Sequence, residues 1–142
     1  MSLRGRILAI DYGAKRTGLA VSDPLGIAAH PLPTVVSESL EETVNAIAEV
    51  VRAREVKLVL LGMPYLRSGL EGAQVDRVRL FKTALRQKLP EGMEILERDE
   101  RFTTAEAESL WRKTGIPRKK AKAAFDSTAA VIILREYLEG LS

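Results

Sequence analysis

The stretch RILAIDYGAKRTGLAVSD, Arg6 to Asp23, decides the fold. Its first part, Ile7–Tyr12, is an apolar run interrupted only by Asp11, as expected for a strand that is covered on both faces. Gly13 ends this run and a second strand pattern, Thr17–Ser22, follows, so the two strands are predicted to form a hairpin. Burying an ionised carboxylate is costly unless it is paired or binds a metal ion, so Asp11 requires a specific role.

The rest of the chain predicts a third strand followed by alternating helices and strands. Pro31 and Pro33 place the third strand, Ile27–Val35, at a sheet edge. The later predicted elements are a helix capped by Ser37 or Ser39 and running through Leu40–Val51, a strand at Lys57–Gly62, a helix at Ala73–Leu89, a strand at Met93–Leu96, a helix at Thr103–Thr114 and a final helix ending near Leu138. This order indicates an α/β fold whose mixed sheet has an antiparallel edge hairpin and helices on both faces.

Length and composition fit a single domain over residues 1–142. The chain is 46% hydrophobic and 29% charged, and it contains no cysteine, which excludes thiol catalysis, cysteine-ligated zinc and disulfides. Only four apolar residues separate the N-terminal MSLRGR from Asp11, too few for a secretory segment. No apolar run approaches the ~20 residues that span a bilayer. We therefore expect a cytoplasmic protein that does not contact membranes.

Three acidic positions stand where predicted elements meet. Asp11 ends the first strand, Glu100 follows the last strand with Asp99 beside it, and Asp126 lies in the first turns of the last helix. If the first and last strands are neighbours, these carboxylates gather at one sheet edge, where open α/β sheets bind ligands. Their mutual repulsion would be relieved by Mg²⁺ or Mn²⁺, which prefer oxygen ligands. For each acid alone, a turn or capping role is the alternative.

The last helix has a predicted packing face that includes one of these acids. Its members recur at helical spacing: Asp126, Ala129, Ala130, Ile133 and Tyr137. The small and apolar members are expected to pack on the sheet, which would hold the acid at the rim of the core.

Basic residues flank the acids. Lys15 and Arg16 lie in the hairpin turn after Asp11, and a basic loop precedes the last helix; its candidate phosphate-binding residues are Arg118, Lys119, Lys120 and Lys122. Between Arg77 and Lys88 there are five basic residues and no acidic one. That segment is equally consistent with a phosphate-binding surface and with a solvated helix face.

Four motifs carry a family resemblance. IDYGAKRTGLAVSD, LVLLGMPYLRSGLEGAQ, DERFTT and FDSTAAVIIL occur in this order, and together they resemble the YqgF (RuvX) family of ribonuclease H-like proteins. That family carries two functional names, Holliday junction resolvase and pre-16S rRNA nuclease. The resemblance, over about residues 6–138, implies a five-stranded mixed sheet and a metal-dependent phosphodiester hydrolase. Carried over motif by motif, its acids are Asp11, Glu100 and Asp126, with Asp99 also in the motif.

We hypothesise that these three acids bind one or two Mg²⁺ or Mn²⁺ ions that activate water against a phosphodiester. Arg101 would steady a non-bridging oxygen, and the basic residues would bind the flanking backbone. Ribosomal RNA precursor is the favoured substrate, because junction resolution requires a dimer with two sites and the sequence has no clear dimerisation surface. Branched DNA is the alternative, and a monomer and a homodimer both stay open.

Two other functions are alternatives to a nuclease. Asp-x-Gly followed by a hairpin also opens the actin-like sugar kinases, but they need a second lobe for which 142 residues leave no room. A non-catalytic nucleic-acid-binding or ribosome-assembly factor could keep the fold, although the complete set of acids argues against it.

Overall fold

The computed structural model describes residues 5–64, 72–99 and 118–140, with 118–126 and 128 described by their backbone alone. Its strands form one mixed sheet in the order β3-β2-β1-β4-β5: β1 (Arg6–Asp11), β2 (Arg16–Ser22), β3 (Ala29–Val36), β4 (Val56–Met63) and β5 (Glu94–Asp99). Its helices are α1 (Leu40–Ala53), α2 (Ala73–Arg86) and α3 (Arg118–Gly140). The predicted helix at Thr103–Thr114 lies outside the described residues.

The antiparallel half of the sheet follows the predicted hairpin. β1 pairs with β2 so that Ile10 lies opposite Leu19, and β2 pairs antiparallel with β3 on its other side. β3 is an edge strand, as Pro31 and Pro33 predicted, because proline has no N–H to donate to a neighbouring strand.

The parallel half joins β4 to both β1 and β5. Ile10 lies beside Leu61, and Met63 lies beside Asp99. β4 therefore separates the first strand from the last, so the condition that they are direct neighbours is not met. Parallel strands still end at the same edge, which keeps the carboxyl ends of β1 and β5 on one side of the molecule.

The helix boundaries differ from the predictions at two places. α2 ends at Arg86 instead of Leu89, and the N–H groups of Lys88 and Leu89 both donate to the Leu85 carbonyl in a closing turn. The basic segment Arg118–Lys122 is the start of α3 and not a loop. Lysine, arginine and alanine favour helix, and no glycine or proline interrupts the segment, so the helix extends through it.

The N-terminus of α1 resolves the choice between two serines. Ser39 is the N-cap residue, and its side chain accepts a hydrogen bond of 3.2 Å from the Glu42 N–H. Ser37 instead donates to the Glu42 carboxylate over 2.8 Å and accepts from the Ser39 N–H. The two hydroxyls together fix the turn between β3 and α1.

Each face of the sheet is covered by different helices. On the α1/α2 face, helix residues such as Ile47, Phe81 and Leu85 pack on Leu8 and Ile10 of β1. On the α3 face, the helix contributes Ala130, Ile133, Leu134 and Leu138, with Tyr137 against them, and β1 contributes Ile7 and Ala9. The packing predicted for Ala130, Ile133 and Tyr137 is confirmed. In the parts of the chain that are described, no helix is both long and apolar enough to cross a membrane.

Candidate active site

The carboxyl edge of the sheet is the edge at which β1, β4 and β5 end, at Asp11, Met63 and Asp99. Asp11 is half-buried there. Asp11 and Asp99 are two strands apart, which corresponds to about 10 Å at the usual strand spacing. The edge therefore brings together two positions that are far apart in the sequence.

Strand alternation assigns these two acids to different faces. Ile7 and Ala9 of β1 lie on the α3 face, so Asp11 continues that series. On β5, Ile95 packs on the α1/α2 face and Glu97 contacts Lys82 of α2, so Asp99 continues the opposite series. Asp11 is thus the acid that shares its face with α3.

Glycines flank Asp11 on both neighbouring strands of the α3 face. Gly18 of β2 lies directly opposite Asp11. On β4, Gly62 lies beside Asp11, because it follows Leu61, the partner of Ile10, in a parallel register. Both glycines are buried. We call the row Gly18–Asp11–Gly62 the Asp11 row; the two residues that flank Asp11 in the register are both glycine.

The row continues to β5 at Arg98, which contacts α3 through a cation–π interaction. Gly62 pairs with Arg98, whose guanidinium carbon lies 5.5 Å from the centre of the Tyr137 ring of α3. At this distance a guanidinium is attracted to the ring face, so Arg98 links the edge strand to α3. A fixed positive charge therefore lies on the same face as Asp11, two strands away.

The turn after Asp11 is closed by reciprocal hydrogen bonds. The buried Thr17 Oγ1 donates to the Gly13 carbonyl over 3.3 Å and accepts from the Gly13 N–H over 3.5 Å. A Cβ on Gly13 would overlap the Arg16 carbonyl oxygen, so only glycine fits this turn. The tight turn sets the direction in which the chain leaves Asp11.

Ser127 fixes the position of α3 along the strands of the sheet. Its Oγ donates to the Leu32 carbonyl over 3.0 Å and lies 2.9 Å from Thr34 Oγ1, which must then donate to it. Leu32 pairs with Leu19, and Leu19 pairs with Ile10, so Ser127 is level with the residue before Asp11. Asp126 directly precedes Ser127 in α3, so its backbone lies next to this attachment of α3 to β3.

The structure describes the remaining predicted site residues to different extents. Lys15 is exposed and its Nζ lies 4.0 Å from the Glu38 carboxylate; Arg16 is exposed at the start of β2. Glu100 and Arg101 lie outside the described residues. For five further predicted site residues the structure describes only the helix backbone: Arg118, Lys119, Lys120, Lys122 and Asp126. Among the residues whose side chains are described, no three acids or histidines form a group that could hold a metal ion.

Comparison with known proteins identifies the family. The sequence profile of RuvX, described as "Holliday junction resolvase", matches residues 5–140. The chain belongs to the RuvX family. A curated protein of Syntrophus aciditrophicus (strain SB), named "Putative pre-16S rRNA nuclease", is 39% identical over 137 residues, which are 96% of this chain and 90% of that protein.

The RuvX chain also resembles solved resolvase structures. The fowlpox virus resolvase, in a complex with Holliday junction DNA, has a TM-score of 0.63 at 12% identity and covers 96% of this chain and 98% of its own. T. thermophilus RuvC, also bound to a Holliday junction, has a TM-score of 0.55 at 16% identity and covers 97% and 96%. At these identities the likeness concerns the fold, and it confirms the ribonuclease H-like architecture.

Sequence reasoning missed the structural importance of four residues around Asp11. They are Gly18, Gly62, Thr17 and Ser127. A glycine inside a strand pattern often marks a close approach of a ligand or another backbone, and this signal was present at Gly18 and Gly62. The two hydroxyl residues carried no comparable signal, because their partners are set by the register and by the helix placement.

Proposed function

We propose that this RuvX protein is a divalent-metal-dependent nuclease that cleaves the precursor of 16S rRNA in the cytoplasm, with residues 1–142 acting as one domain. The observation that carries the proposal is the Asp11 row. This half-buried carboxylate, with a glycine on each neighbouring strand, lies at the carboxyl edge, where open α/β sheets bind ligands. The family match and the names of its relatives supply the reaction class.

The chemistry of the acids fits a hard cation. We assign Asp11, Glu100 and Asp126 as the ligands of one or two Mg²⁺ or Mn²⁺ ions, because carboxylate oxygen is the ligand that both ions prefer. Asp11 lies on the face that α3 covers, and Asp126 directly precedes Ser127, which attaches α3 to β3; both observations support this assignment. Asp99 follows the series that faces α2 and is left out of the ligand set.

When bound, the metal supplies an activated water and charge neutralisation at a phosphodiester. The chain's own residues hold the reacting groups in place. Asp11 is positioned by its strand and by the Gly13–Thr17 turn. Lys15, Arg16, Arg101 and the basic start of α3, Arg118–Lys122, are assigned to the phosphates that flank the scissile bond, where their charge opposes that of the backbone.

Replacing Asp11→Asn tests the assignment, because it keeps the shape and removes the charge. We expect the cleavage rate with Mg²⁺ or Mn²⁺ to fall by ~10²–10³-fold, the usual size for loss of an electrostatic partner of the transition state. Mn²⁺ affinity, measured by calorimetry, should fall as well. Full activity and unchanged Mn²⁺ binding would refute the role of Asp11.

Asp23→Asn is the matched control at the opposite edge of the sheet. Asp23 lies in the β2–β3 turn, where the Ile27 N–H donates to its carboxylate over 2.8 Å and lowers its pKa. This acid belongs to a turn, so its replacement should leave both cleavage and Mn²⁺ binding unchanged.

Resolution of Holliday junctions is the second candidate, and the description of the matched family favours it. One preparation should be tested on an RNA spanning the 5′ end of 16S rRNA and on a four-way DNA junction. We expect cleavage of the RNA. Symmetric cleavage of the junction by a dimer would replace the RNA proposal, because paired incisions need two sites. Sedimentation of the same preparation separates a monomer from a homodimer.

A further inference from the structure

We propose that a basic groove between α2 and the edge strand β5 binds the phosphate backbone of the substrate away from the cut. This inference rests on the proposed nuclease function and adds a second contact region to it. The groove has a volume of about 590 Å³ and is lined by Arg79, Lys82, Thr83, Arg86, Gln87 and Glu97.

The basic lining is one stripe along α2. Arg79, Lys82 and Arg86 are spaced at i, i+3 and i+7, which places them on one side of the helix. Over seven residues the stripe extends about 10 Å, and a nucleic acid strand advances ~3.4 Å per phosphate along a duplex axis. The stripe is therefore long enough to follow about three consecutive phosphates.

Two of the cations are held in place by β5 and the turn before it. Lys82 Nζ lies 3.0 Å from a Glu97 carboxylate oxygen, and both side chains are about one-third exposed or less, at 27% and 34%. Arg86 Nη1 donates to the Met93 carbonyl over 3.3 Å. These contacts also give the direction of the stripe: later residues of α2 meet earlier residues of β5.

That direction leads towards the candidate active site. Arg79 is the end of the stripe nearest the carboxyl edge, because α2 runs opposite to β5. Glu97 is two residues before Asp99, a rise of about 7 Å along the strand. The groove therefore points towards the carboxyl edge at which Asp11 lies.

The charge of the segment favours a polyanion over a solvated helix face. No acidic residue occurs between Arg77 and Lys88, although exposed helix faces usually interleave both signs. Glu97 is the one acid among the groove residues given above, and it is paired with Lys82. Three basic side chains and one acidic side chain therefore line the groove, which is the composition of a nucleic-acid contact.

The test measures binding without cleavage, in EDTA, with a 20-nucleotide single-stranded RNA and with a four-way DNA junction. Arg79→Gln removes one cation, and each lost phosphate contact should weaken binding about five- to eightfold at 0.1 M salt. The slope of log K against log salt should become shallower by ~0.7–0.9. Glu97→Gln should instead increase the binding affinity, because it removes the carboxylate that pairs with Lys82.

Arg52→Gln is the charge-matched control, since Arg52 is exposed on α1 and pairs with Glu49. Equal effects of Arg52→Gln and Arg79→Gln, or weaker binding by Glu97→Gln with an unchanged melting temperature, would overturn the groove. Cleavage assays separate the two proposals: wild-type cleavage with unaffected Arg79→Gln binding refutes only the groove. Wild-type protein that binds neither nucleic acid refutes both.

Discussion

The two faces of the sheet differ in how many apolar side chains they bury among the described residues. The α1/α2 face fully buries large residues such as Phe81, Met63 and Leu85. In the described residues the α3 face has a smaller buried cluster, in which Ala9, Ala20 and Ala130 lie among isoleucine and leucine side chains. The large residues provide most of the apolar burial, which is the main source of stability.

The face with the smaller buried cluster also carries Asp11. With Gly18 and Gly62 beside it, the carboxylate lies where the sheet contributes least side-chain bulk. The helix over this face is tied to the sheet by polar contacts, through Ser127 and through Arg98 on Tyr137. The larger buried cluster and the proposed chemistry thus lie on opposite faces of one sheet, and each face can be perturbed separately.

The largest expected effect on stability is on the α1/α2 face. Phe81 is fully buried and stacks on Tyr12 with ring centres 4.4 Å apart. Phe81→Ala should lower the free energy of unfolding by about 3–5 kcal/mol, through lost burial and the cavity left behind. Urea unfolding measures this loss. Tyr137→Ala is the aromatic control on the α3 face, and an equal loss there would contradict the difference between the faces.

The turn after Asp11 should give an intermediate effect on stability with a larger effect on activity. Gly13→Ala forces the new methyl group against the Arg16 carbonyl, which should cost about 1–3 kcal/mol, as for overpacking elsewhere. Cleavage by the folded variant should fall by ~10²-fold, because displacing a reacting group by about 1 Å has that effect.

Gly140→Ala is the control for this substitution, since a methyl group there would meet nothing within 4 Å. It should change neither the melting temperature nor cleavage. Normal cleavage by Gly13→Ala, at a temperature where it is folded, would show that the turn does not position Asp11.

The smallest expected effect concerns the polar tie of α3. Ser127→Ala removes the hydrogen bond to the Leu32 carbonyl and leaves Thr34 without this partner oxygen, which should lower the unfolding free energy by about 1 kcal/mol. Thr83→Ala is the matched hydroxyl deletion on α2, where the bond to the Arg79 carbonyl is exposed, and it should have almost no effect. Reduced cleavage by Ser127→Ala relative to the wild-type protein would support its role in placing α3, whereas unchanged cleavage would argue against it.

The architecture was predictable where local chemistry sets it. The apolar run through Ile10 and the glycine after it predicted the hairpin, and Pro31 and Pro33 predicted the edge strand. The start of α3 differs from the predicted basic loop, because the helix propensity of Arg118–Lys122 prevails.

The surroundings of Asp11 could be predicted only in part, for a different reason. The sequence singles out the acid, but its neighbours depend on the strand order and register. β4 comes between the first and last strands, so Gly62 becomes the residue beside Asp11. Pairings between strands distant in sequence are tertiary choices that no local pattern contains, and this is why the Asp11 row emerged only from the structure.

The Asp11 row also has a consequence for biosynthesis. Gly18 follows Asp11 by seven positions and can pair with it as soon as the hairpin closes, whereas Gly62 follows by fifty-one and arrives only with β4. Ser127, on α3, is later still. A nascent chain that ends before β4 therefore lacks one of the two glycines that flank Asp11, so the Asp11 row is completed only after β4 has been synthesised.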